Sequence, residues 1–269
     1  MGDRLAFGLP WVDLLALPIA LLLSFLVRLS NWGSLLLVPA QIQFHELGHA
    51  LLAWLSGRAA LPLPFGFTFW REQQSVFTGC CMAFLLGVLL VRAVRERRPF
   101  GAVLASSLLL AFLVLSLLVA ADTSRMLILL AGLAGELVLT SLAIVAFYFE
   151  MPDRLRWDFF RFIVLFPATG SWLAAVQLWL GVARGKRALP TGSILGTTGD
   201  GSGDLDRLLA EYDFSEASIT TLYGRLSLLT AAVVVVTYGV FALRAAHKLW
   251  PARRFNRFAE RRIRERDTR

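Results

Sequence analysis

The chain has 269 residues, 57% of them hydrophobic, and a mean hydropathy of +0.65. That apolar share is well above the average for soluble domains and argues against two soluble domains, favouring one compact membrane domain. The formal charge of +8 comes largely from the last stretch, "LWPARRFNRFAERRIRERDTR". Behind a membrane span such a segment marks the cytoplasmic face and contact with anionic lipid, so a lipid bilayer is the expected partner and nucleic acid is not.

In chain order, apolar runs cover about 9–28, 35–56, 79–97, 101–121, 126–149, 162–183 and 226–247. Each is long enough to cross the hydrocarbon core as a helix. The expected fold class is therefore all-α, a polytopic membrane helix bundle of about six or seven spans. The first run is bounded by Arg28 and reads as a retained anchor, not a cleaved leader. Between the second and third runs, "GRAALPLPFGFTFWREQQSVFTG" carries Pro62, Pro64, Gly66 and several aromatics. It predicts an irregular or hairpin-like segment at the interface, lining a cavity. The two cysteines, Cys80 and Cys81, are adjacent and offer neither a disulfide framework nor a zinc-ligand spacing. "MPDRLRWDFFRF" mixes charge with aromatics and is expected to lie along the membrane surface. The longest polar loop, "RGKRALPTGSILGTTGDGS", is followed by "GDLDRLLAEYDF", which reads as a helix start with acids in its first turn. With seven alternating spans, Arg28, Arg92–Arg98, Arg154–Arg161 and the tail fall on one side, expected to be cytoplasmic. The N-terminus and the 184–220 loop would then lie opposite. His247, near the end of the last run, reads as an interface residue.

The second run contains "FHELGHALL". Ionisable groups inside a membrane helix are expensive, so each needs a partner or a task. Residues four apart share a helix face, so His45 and His49 can present imidazole nitrogens to one Zn²⁺. Glu46 lies about 100° round the helix from His45, in reach of a water at such a site, where it would act as general base and then acid. Two of the three histidines in the chain are spent here, which packing does not explain. Glu136, mid-span among Gly132, Ala134 and Gly135, can face the bundle interior as a metal ligand, a histidine partner or a substrate contact. A protonated acid bonded to a neighbouring helix is the alternative.

"FHELGHALLAWLSGR" on an apolar helix resembles the site-2 protease family of intramembrane zinc metalloproteases. The resemblance implies a zinc metallopeptidase that cuts membrane-associated protein substrates, with a third zinc ligand from an aspartate late in the chain. "AGLAGELVLTSL" resembles the family's small-residue segment, with Glu136 where an Asn would stand. "LPTGSILGTTGDGSGDLDRLL" holds the place of its late aspartate motif but lacks the Asn and the Pro-x-Pro. Two acids compete for the ligand role. Asp200 is followed by Gly201, recreating Asp-Gly. Asp204 stands where helical spacing begins and Leu205, Leu208 and Leu209 can pack the turn, so Asp204 is the expected ligand and Asp200 the alternative. Asp206 is expected to complement the helix dipole. A calcium loop through Asp200, Ser202, Asp204, Asp206 and Glu211 is disfavoured because Leu205 stands where the turn wants Gly. The sequence thus predicts a membrane-embedded metallopeptidase domain over 1–247, a basic tail over 248–269 and a plasma (inner) membrane location. The competing class is a non-catalytic membrane protein, either a pseudoprotease scaffold or a proton-coupled transporter.

Overall fold

The computed structural model describes residues 9–150, 159–192 and 203–249. The apolar runs fold as helices α1 (Pro10–Arg28), α2 (Asn31–Leu55), α3 (Val76–Arg95), α4 (Pro99–Leu117), α5 (Ala121–Phe147), α6 (Phe160–Ala183) and α8 (Glu216–Leu249), with a short α7 (Asp204–Glu211). All but α2 and α7 are long and apolar enough to cross a membrane. The chain is an integral, multi-pass, all-α membrane bundle. Local chemistry sets several boundaries. Pro10 and Pro99 open α1 and α4 at positions whose N–H would have no partner. Ser30 and Ser75 cap α2 and α3, accepting from Gly33 N at 3.0 Å and Thr78 N at 3.3 Å. The α3–α4 turn closes with Arg97 at φ 53° and Arg98 N bonded to Ala93 O at 2.8 Å.

The segment after α2 forms the expected hairpin. Strands β1 (Arg58–Leu63) and β2 (Phe67–Gln74) pair antiparallel, with Ala60 opposite Trp70 and Pro62 opposite Thr68. Side chains of β2 alternate: Phe67 and Phe69 are exposed, whereas Thr68 and Trp70 are half-buried and turn inward.

Burial ranks the layers. In the apolar windows of α5 and α6, 61% and 56% of residues are buried, against 11% in α3 and 11% in α4. The first two form the centre and the α3–α4 pair is a lipid-facing flank. Against α5 lies α2, where Gly48 meets Gly135. A Cβ at Gly135 would come within 2.7 Å of Gly48 Cα and of Phe44 O, so only small residues allow this approach.

The two ends of the bundle are distinct. At one, Arg98 pairs with Glu150 and Phe100 stacks on Phe149. At the other, Arg125 pairs with Glu72 at 2.8 Å and Tyr212 donates to Asp122 at 3.4 Å, gathering the hairpin, the start of α5 and α7. Here the seven-span alternation needs correction. The start of α1 lies at the Arg98 end: Tyr238 Oη donates to Leu14 O at 3.0 Å, and Tyr238 neighbours Tyr148 at the close of α5. Arg28 lies in electrostatic range of Arg187, beyond the close of α6, and not with Arg92–Arg98. So α2 enters the bundle from the end where α1 finishes, and α2 is not a span in the alternation. The surface segment's residues 151–158 and the loop's 193–202 lie outside the described residues, as does the tail beyond Leu249.

Candidate metal centre

The C-terminal half of α2 carries His45, Glu46 and His49 on the face turned to α5, the hairpin and α7. Each imidazole is anchored through Nδ1. His49 Nδ1 lies 2.6 Å from Ile128 O, a carbonyl that can only accept, so Nδ1 carries the proton. His45 Nδ1 lies 2.9 Å from Glu136 Oε1, and Gln41 Nε2 donates to Glu136 Oε2 at 2.9 Å. Both Nε2 atoms then face Asp204 Oδ2, each at 3.0 Å. His45, His49 and Asp204 offer one ligand atom each, all within 4.8 Å of one another.

The donor set fits a divalent cation. With both Nδ1 atoms donating, each Nε2 can bond to Asp204 only if it too is protonated. That would place two imidazolium rings 4.9 Å apart, centroid to centroid, largely out of water. A single divalent cation accepting both Nε2 lone pairs and the carboxylate removes the conflict. Outer hydrogen bonds that fix the tautomer are the usual company of ligating histidines. With Asp204 Oδ2 3.0 Å from each Nε2 and all three atoms within 4.8 Å of one another, one cation could meet the whole set.

Asp204 reaches the histidines because α7 is held rigidly. Leu205 and Leu208 are buried in a cluster with Leu137, Trp179, Ile219 and Tyr223, and Leu209 packs at its edge. Asp206 Oδ2 accepts from Gly192 N at 2.7 Å and from Gly203 N at 3.3 Å, capping the helix and tying it to the loop after α6. The half-buried Asp204 carboxylate, facing both imidazole Nε2 atoms, is the anion that a cation needs. Asp200 falls outside the described residues.

Glu46 is buried, and Thr68 Oγ1 stands 2.6 Å from its Oε2 and 3.0 Å from its main-chain O. Trp70 stacks on His49, with 5.9 Å between ring centroids and 24° between planes. A cavity of about 600 Å³ opens in front of these groups, walled by Val38, Ile42, Leu133 and Leu178, with Gly192 and Gly203 also in its lining. The cavity was expected from the hairpin segment, and the structure brings His45, Glu46, His49, Glu136 and Asp204 together around it. Gln41, Thr68 and Trp70 were not singled out from the sequence. Gln41 carried a usable signal, since it is one turn before His45 on the same helix face. His247 is exposed at the end of α8, well apart from this cluster in the fold.

Fold and site together define a multi-pass membrane bundle with a largely buried His-His-Asp cluster beside a carboxylate. Among known proteins, no family model, no curated protein and no solved structure matches the chain.

Proposed function

We propose that the protein is a membrane-embedded zinc metalloendopeptidase that hydrolyses peptide bonds of membrane-associated protein substrates. The observation that carries the reading is the convergence of His45 Nε2, His49 Nε2 and Asp204 Oδ2 with Glu46 on the same cavity. The resemblance of "FHELGHALL" to site-2 proteases points the same way. When bound, zinc supplies Lewis acidity, polarising a carbonyl and acidifying a water. His45, His49 and Asp204 would hold it. Glu46 takes the proton of the attacking water and delivers it to the departing amine, so the carboxylate is regenerated. Glu136 and the Ile128 carbonyl keep the two imidazoles in the tautomer that leaves Nε2 free. The apolar cavity walls receive the substrate side chains and limit bulk water. The bundle's basic end would face the cytoplasm of a plasma (inner) membrane, with the cavity nearer the opposite end.

Elemental analysis of purified protein tests the metal, and cleavage of a membrane-anchored reporter tests the reaction. About one zinc per chain is expected, lost in His45→Ala/His49→Ala. Glu46→Gln should keep the zinc and lower turnover by about 10²–10⁴-fold. Zinc surviving in the double variant, or undiminished cleavage in Glu46→Gln, would refute the assignment.

A further inference from the structure

We propose that Thr68 is a positioning residue for Glu46: its hydroxyl fixes the carboxylate toward the cavity and seats the β1–β2 hairpin on α2. The inference rests on the metallopeptidase reading for its catalytic consequence and on geometry for the rest. The Thr68–Glu46 contact of 2.6 Å lies in the range of a hydroxyl bonded to a carboxylate, the stronger class of hydrogen bond. Glu46 is buried, so few water molecules compete for its oxygens. Across the hairpin Thr68 faces Pro62, which has no N–H to give the ladder, so the strand pair is weakly self-supported at this point. Two residues along the same inward face, Trp70 lies on His49. The alternation of β2 thus sets one side chain on the proposed base and the next inward one on a proposed ligand. Phe69, between them on the outer face, is exposed and makes no such link. A hairpin held this way couples its own seating to the orientation of Glu46.

The test uses full-length protein in bilayer nanodiscs. Thr68→Val keeps the shape and deletes the donor, whereas Thr68→Ser keeps the donor. Hydrogen exchange over 66–72 should rise by roughly tenfold or more in Thr68→Val, the equilibrium equivalent of losing one bond to a charged group. Glu46→Ala keeps the main-chain acceptor and should raise exchange by less, the double variant should match Thr68→Val, and Thr68→Ser should match wild type. Additive effects, or no change in Thr68→Val, would overturn the seating. With a quenched fluorogenic peptide carrying a membrane-spanning apolar segment as probe, Thr68→Val should lower kcat by about tenfold or more. KM and zinc content should stay unchanged, and Thr68→Ser should restore kcat. A loss confined to KM, or a serine variant as poor as valine, would overturn the positioning role. A wild-type protein that holds no zinc and cleaves nothing would sink the metallopeptidase reading, and with it the catalytic consequence. The exchange measurement would still decide the contact.

Discussion

Asp204 and Asp206 share the first turn of α7 and face different partners, the first the two imidazoles and the second the amides of Gly192 and Gly203. Their substitutions should therefore separate. Asp204→Ala is expected to abolish zinc retention while α7 stays packed through Leu205 and Leu208. Asp206→Ala should cost about 1 kcal/mol of stability, as loss of a helix cap does, and leave zinc measurable at saturating metal. Equal zinc loss in both variants would show that α7 seating, not ligation, sets metal content. Glu136→Gln tests the outer hydrogen bond to His45. Zinc affinity should fall by about 10–100-fold with stoichiometry unchanged, measured by competition with a chelator. At this scale the i, i+4 histidines and the Glu between them were legible, because a helix period converts spacing directly into a shared face. The favoured aspartate was argued from Leu205 and Leu208, and both are buried. Thr68 was not legible, because its role depends on the hairpin folding back across about 20 residues and no local pattern encodes that contact. The Ile128 carbonyl was equally hidden, since a main-chain acceptor has no residue signature.

Among elements, the α2–α5 contact sets the geometry of the proposed metal centre. Gly132 lies under both rings. A Cβ there would come within 2.6 Å of His45 Nε2 and press on His49 as well. Gly132→Ala should therefore displace the imidazoles and empty the site of zinc, with an overpacking cost of about 1–3 kcal/mol. Gly87, on the lipid-facing α3, has nothing within 4 Å of a built Cβ. Gly87→Ala should leave zinc content unchanged and alter stability by no more than about 1 kcal/mol. The pair is read by zinc analysis and thermal unfolding, and full zinc in Gly132→Ala would contradict the packing argument. The small residues around Glu136 signalled a close helix approach in the sequence, but nothing there named α2 as the partner. Pairing between helices distant in sequence is set by the whole packing of the bundle, whereas span lengths follow from hydropathy alone. Helix ends shifted for the same reason. The last run reads as 226–247, yet α8 begins at Glu216, because Ile219 and Tyr223 pack on α7 and Trp179 and extend the helix outward.

For the whole molecule, the departure from simple alternation has a measurable consequence. Counting every long helix as a span puts the start of α1 opposite the Arg92–Arg98 cluster. The structure instead sets Leu14 against Tyr238 and Phe149 against Phe100, so the start of α1, the α3–α4 turn and the end of α8 share one end of the bundle. Length could not reveal this, because α2 is as long as a span and its ionisable residues look like a site within one; only its lower apolarity sets it apart from the six other long helices. What separates α2 is its C-terminal half: Gly48, His49, Ala50 and Ala53 are buried inside protein, whereas Trp32, Leu35 and Leu36 near its start are exposed. Single cysteines introduced at Leu9, Arg97 and Thr191, in a background lacking Cys80 and Cys81, should divide two to one toward a membrane-impermeant maleimide in intact cells. Thr191 should label from outside, since it lies near Asp206 at the cavity end. Leu9 and Arg97 should label only after permeabilisation if the basic end faces the cytoplasm, the orientation proposed above. If Leu9 labels together with Thr191, α1 crosses in the opposite sense and α2 is a true span. If all three report one side, α1 and the α3–α4 turn do not share an end opposite the cavity.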